Sequence, residues 1–228
     1  MFSIRSKFFL TSLLCASLCA TAAGAGPKIH VIVFGKWANV AWSTDAGDKP
    51  VTLKIRALIV DGRIREYAIG PPHEVTERLF VVRRAFRVND SLPEDSAVQW
   101  RWQRGGWLLV DRLTGHISPI NLPEFDSFFS ASSWYRDYVA YCGVSDDGRK
   151  TYAIVAQIGR RKPALKKQLS DALPENGGAD SACGTPLWQR GPIRVSFEAP
   201  EAPKQTFEIR GHVVDMVSDA DDEDEGSK

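Results

Sequence analysis

The clearest pattern in this chain is a period of two. Val51, Leu53, Ile55, Ala57 and Ile59 alternate with Thr52, Lys54, Arg56 and Leu58, the mark of a half-buried strand. Asp61-Gly62 follows, the strongest short hairpin signal, and predicts a return strand over residues 63–69, ended by Gly70-Pro71-Pro72. Residues 29–34 form a short β-branched run upstream. Residues 79–88 are a further strand, its apolar character broken by Arg83, Arg84 and Arg87, and residues 89–93 read as a loop.

The middle third reads as a chain of hairpins. Val98, Trp100 and Trp102 share one face, with Gln99, Arg101 and Gln103 on the other. Gly105-Gly106 predicts a turn into residues 107–111, and Leu113-Thr114-Gly115 a second turn into residues 116–120. Residues 138–142 form a strand, Ser145-Asp146-Asp147-Gly148 a turn, and residues 151–158 the return. Residues 163–173 are rich in helix formers and predict the one helix of the chain. A Pro/Gly/Asn-rich loop follows over 173–184, then strands at 193–197 and 206–214. The sum is an all-β fold: an antiparallel meander forming a sandwich, an open barrel or an incomplete propeller-like sheet, with at most one short helix.

One stretch resembles β-propeller blades. Trp107-Leu-Leu-Val-Asp-Arg-Leu-Thr-Gly115, Asp137-Tyr-Val-Ala-Tyr141, Ser145-Asp-Asp-Gly148 and Thr151-Tyr-Ala-Ile-Val155 are similar to blade strands separated by D-x-x-T-G and S-x-D-G turns. The likeness covers residues 107–158 only and points to no named family. It implies a blade-like sheet, not a closed propeller, which takes at least four blades of four strands.

The N-terminus changes the picture from fold to compartment. Arg5 and Lys7 precede an apolar run over residues 8–20, and Ala20-Thr21-Ala22 and Ala23-Gly24-Ala25 supply small residues for cleavage. Residues 1–25 therefore read as a secretory signal peptide, too short to span a bilayer. The expectation is an exported protein, periplasmic or secreted, with no transmembrane segment. Residues 26–217 then form a single all-β domain, and residues 218–228, with six acids and one lysine, a disordered acidic tail. Two of the 29 basic residues and none of the 28 acidic ones leave with the signal peptide. The mature chain is left nearly neutral, with no pull toward nucleic acid. Cys15 and Cys19 leave as well. Cys142 and Cys183 remain, and in an oxidising compartment such a pair predicts a disulfide.

Candidate chemistry is sparse. There is no Gly-x-Ser-x-Gly elbow, no glycine-rich phosphate loop, no ligand-spaced His or Cys set and no sign of a cofactor or metal. Two carboxylate-based options support a hydrolase as the alternative reading: Asp126 with Asp137, on the paired-acid plan, and His116 oriented by Asp111. Aromatics mixed with serines over residues 125–135 suit a contact surface for a protein or glycan, with Phe128, Phe129, Trp134 and Tyr135 as its binding residues. A basic set, Arg149, Lys150, Arg160, Arg161, Lys162, Lys166 and Lys167, suits anionic envelope material. The expectation is an exported, non-enzymatic β domain that binds a protein or glycan partner in the cell envelope.

Overall fold

The computed structural model describes residues 29–42, 50–170, 183–199, 203–210 and 213–217. The stretch read as a signal peptide, most of the predicted 173–184 loop and the acidic C-terminal stretch lie outside the described residues. Among the described residues the fold is all-β, with no helix. The first sheet contains Ile32–Phe34 (β1), Ala38–Trp42 (β2), Val51–Val60 (β3), Arg63–Glu74 (β4), Leu79–Asn89 (β5), Trp100–Asp111 (β6) and Ile117–Ile120 (β7). β1 and β2 lie end to end along one edge of β3, and β4, β5 and β6 follow as an antiparallel meander. β2 then meets β6 at Trp42 and Trp102, which partly closes the sheet into a ring. If β1 and β2 count as one interrupted strand, the ring has five. In a five-stranded meander the first and last strands point the same way, so the closing pair must be parallel, as it is.

Two cores lie on opposite faces of this sheet. One is built on Leu58, Ala68, Phe80, Val82, Leu108 and Val110, the other on Trp42, Leu53, Ile55 and Ala85. They use alternate residues of β5, which the pleat sends to opposite sides.

Two four-stranded meanders complete the fold. Ser132–Tyr135 (β8), Tyr138–Val144 (β9), Thr151–Gln157 (β10) and Leu165–Ser170 (β11) form one; Leu187–Arg190 (β12), Ile193–Phe197 (β13), Gln205–Arg210 (β14) and Val213–Val217 (β15) form the other. Ala140, Cys142, Ala153 and Val155 pack with Val195, Phe197, Phe207 and Ile209 into one core between them. The other face of β9 and β10, with Val139, Tyr141 and Ile154, packs under Leu122, Phe125 and Trp134. Burial on both sides explains the unbroken apolar runs of these strands. The Cys142–Cys183 disulfide forms, joining β9 to the segment before β12 with Cα atoms 6.2 Å apart.

Several sequence expectations are corrected. The helix over 163–173 is the strand β11: Leu165 and Leu169 join the core between the sheets, and pairing with β10 outweighs helix propensity. Gly105-Gly106 is not a turn. β6 runs through it, with the register shifting opposite Arg83 and Ala85. β4 does not end at Gly70-Pro71-Pro72. The prolines fall in a register shift between Ile69 and His73, where no ladder N–H is required of them. The strand over 206–214 divides into β14 and β15. The blade-like stretch spans two sheets rather than one blade. Its Asp111–Gly115 and Ser145–Gly148 turns form as hairpin turns, with Gly115 at φ 65° and Gly148 at φ 69°.

Candidate functional site

The carboxylates of the hydrolase reading are committed to structure. Asp126 accepts the backbone N–H groups of Phe128 and Phe129, at 2.6 and 3.2 Å, and so caps the turn to Ser130. Asp137 accepts the side-chain amide of Gln157 at 2.7 Å. Asp111 accepts both arms of the Arg78 guanidinium and the Leu113 and Thr114 N–H groups. Arg78 foremost, with those N–H groups, holds its carboxyl well below the usual carboxylate range. His116 joins this turn through its backbone, donating to the Thr114 hydroxyl and accepting the Asp111 N–H. A histidine–carboxylate contact occurs elsewhere: His30 Nδ1 lies 2.9 Å from Asp61 Oδ2. Asp61 also accepts the Val31 N–H, which makes the pair a clasp on the entry to β1.

The structure does not gather the aromatic set into one patch. Phe128 stacks on Trp42 at 6.2 Å. Trp134 stacks on His73 at 5.8 Å and meets Trp107 edge-on at 5.1 Å. Tyr135 stacks on Trp188 at 5.5 Å. These three rings and that of Phe129 are half-buried, and the three stacked ones join the 125–135 segment to its neighbours. The Trp107 indole N–H donates to Ser132, and the His73 ring bonds the Arg136 carbonyl. Arg83 supports the same segment from below, donating to the Ser127 carbonyl at 2.8 Å. Burial, with Arg104 beside it, pushes its pKa down to about 10. The basic set is dispersed too. Lys166 pairs with Glu124, Lys167 reaches Met216, and Arg160 and Arg161 border two shallow clefts of about 310 and 550 Å³.

A different arrangement stands out at the mouth of the ring. Trp100 is 60% exposed, and the Arg87 guanidinium lies 5.5 Å from its ring and 5.4 Å from that of Trp102. Tyr67 braces Trp102 edge-on at 5.0 Å. Arg104 lies over Trp42 at 5.1 Å, and burial lowers its pKa. Register builds this face: Arg87 is directly opposite Trp102, Arg104 opposite Ala85, and Trp42 beside Trp102. Next to it a cleft of about 230 Å³ is lined by Trp42, Pro50, Asp90, Gln99, Trp100 and Arg101. Asp90 pairs with Arg101 at 2.5 Å. The alternation of Trp100 and Trp102 was visible in the sequence. The arrival of Trp42 and Arg87 beside them was not, because it depends on closure of the ring.

Among the described residues no group of three or more His, Cys, Asp or Glu side chains is placed to hold a metal ion. No helix there is long and apolar enough to cross a membrane. Comparison with protein-family models, with curated proteins and with solved structures gave no match to this chain.

Proposed function

We propose that this protein is an exported, non-enzymatic β domain, periplasmic or secreted, that binds a protein or glycan partner in the cell envelope through the mouth of its ring. One observation carries the reading: Trp100 is 60% exposed while Arg87 holds its guanidinium between that ring and Trp102. Tryptophan and arginine are the residue types that concentrate binding energy in recognition surfaces. An exposed indole flanked by a guanidinium and by the polar groups of an adjoining cleft has the composition of such a surface. The commitment of Asp111, Asp126 and Asp137 to turns and amides adds support, since a catalytic carboxylate must face its substrate.

The test is co-sedimentation of the mature chain, residues 26–228, with isolated envelope material, beside Trp100→Ala. The expected result is retention of the wild type and at least tenfold weaker retention of the variant, with unchanged circular dichroism. Equal retention of both removes the mouth from the reading. Turnover in a broad hydrolase screen that is abolished by Asp137→Asn or Asp126→Asn replaces it with the carboxylate hydrolase.

A further inference from the structure

We propose that the mouth is a saccharide-binding site that takes a glycan bearing carboxylate groups. This rests on the partner-binding reading above and names the chemistry of the partner.

Three features point to a sugar. The first is the composition of the cleft. Trp42 and Trp100 flank Gln99, Asp90 and Arg101 in a space of about 230 Å³. A pyranose presents an apolar C–H face and a rim of hydroxyls. It is matched by an aromatic wall together with planar side chains that both donate and accept. Asp90 and Arg101 already hold one another, so each is fixed in place while keeping capacity for a hydroxyl. Asp90 N–H also bonds the Gln99 carbonyl at 2.7 Å, which ties the two sides of the hairpin that presents these groups.

The second feature is spacing. Trp100, Trp102 and Arg104 sit in a row on one face of β6, at intervals of two residues or about 6.8 Å, with Trp100 exposed and Trp102 held against the core by Tyr67. A row of ring and guanidinium groups along a strand suits an elongated ligand better than a compact one. The third is charge. Arg87 and Arg104 are both seated on indole rings, and among the described residues neither has a carboxylate partner. Arg84 and Arg101 on the same strands are matched to Glu66 and Asp90. A guanidinium lying on a ring keeps its edge donors free in a plane, the geometry that receives a carboxylate through two hydrogen bonds. The near-neutral mature chain, with its acidic tail, disfavours a polymer of the charge density of nucleic acid.

Titration calorimetry of the mature chain with oligomers of galacturonate, of mannuronate and guluronate, and of hyaluronate tests this. A neutral cello-oligomer and an oligothymidylate of equal length serve as comparisons. The expected result is binding of at least one carboxylated glycan at ten times or more the affinity of the neutral oligomer. Trp100→Ala should weaken it at least tenfold, and Arg87→Gln should remove most of the preference over the neutral oligomer. Both side chains are exposed, so folding is preserved, and circular dichroism checks this. Equal affinity for neutral and carboxylated oligomers overturns the assignment of Arg87. Tighter binding of oligothymidylate overturns the glycan. No glycan binding together with Trp100-dependent retention on envelope material overturns this inference and leaves the partner-binding reading standing. Loss of both defeats both.

Discussion

At the scale of single residues, the carboxylates that look chemical in the sequence are occupied by the fold. Asp111 is the clearest case, and its pH dependence follows from its contacts. Its folded pKa is depressed from 3.8 by Arg78 first and by the Leu113 and Thr114 N–H groups. The charged form therefore stabilises the fold fully above the ordinary carboxylate pKa. That contribution is lost as pH falls through the depressed folded value. Asp111→Asn keeps an acceptor for the turn but loses the charge facing Arg78. It should melt lower than wild type at pH 7, and the gap should narrow below pH 4 because protonation erases the difference. Melting temperatures of both proteins between pH 7 and pH 2.5 check this; a gap that stays constant would show that Arg78 contributes nothing through charge. Gly115 on the same turn has φ 65°, and a Cβ there would meet His30 Nδ1 at 2.8 Å. The D-x-x-T-G turn and the His30–Asp61 clasp therefore depend on the same missing side chain.

At the scale of elements, the two glycines of β6 separate what the sequence conveyed from what it hid. Gly-Gly between two apolar runs reads as a turn, because the pair is the strongest local breaker of a strand. The chain instead continues, since the bulge opposite Arg83 and Ala85 lets β6 bend while it stays paired with β5. The two positions differ in what surrounds them. A Cβ at Gly105 would meet the Arg84 Cβ at 3.1 Å and its carbonyl oxygen at 3.3 Å, whereas one at Gly106 meets nothing within 4 Å. Gly105→Ala should cost about 1–3 kcal/mol through crowding against the neighbouring strand. Gly106→Ala should fall within about 0.5 kcal/mol of wild type, and can be stabilising through the unfolded state. Urea unfolding of the two variants settles it; equal costs would mean that close approach is not what selects glycine at 105. β11 teaches the same lesson in reverse. Leu165, Lys167 and Leu169 have the period of a strand, but Leu165 and Leu169 also have the spacing of a helix, and the residues between them are good helix formers. Local sequence, weighed by propensity, pointed to the helix. The exposed edge of β10 decided for the strand.

At the scale of the whole molecule, legibility follows sequence distance. Hairpins closed by Asp61-Gly62, Leu113-Thr114-Gly115 and Ser145–Gly148 were readable because each turn lies within a few residues of what it joins. The mouth of the ring was not, because Trp42 and Trp102 are sixty residues apart and meet only once the three strands between them, β3, β4 and β5, have paired. The disulfide is the exception. It links residues 41 apart and yet was legible, because reading residues 1–25 as a signal peptide leaves Cys142 and Cys183 as the one pair of cysteines. Its place in the fold gives it a measurable consequence. Cys142 and Cys183 are buried in the core shared by the two four-stranded sheets, so the bridge fastens one sheet to the start of the other. Closing a loop of that length in the unfolded chain removes entropy worth about 4 kcal/mol. The Cys142→Ala, Cys183→Ala protein should therefore lose about that much stability in urea unfolding, plus a smaller amount for the cavity left by two buried sulfurs. Because both sulfurs are shielded, reductant without denaturant should leave the wild-type bridge intact, and the two unfolding curves should converge only when reductant and urea act together. A loss under about 1 kcal/mol would mean that the interface between the sheets holds its order in the unfolded ensemble, or that packing alone joins them. The bridge would then be a product of the fold rather than a support for it.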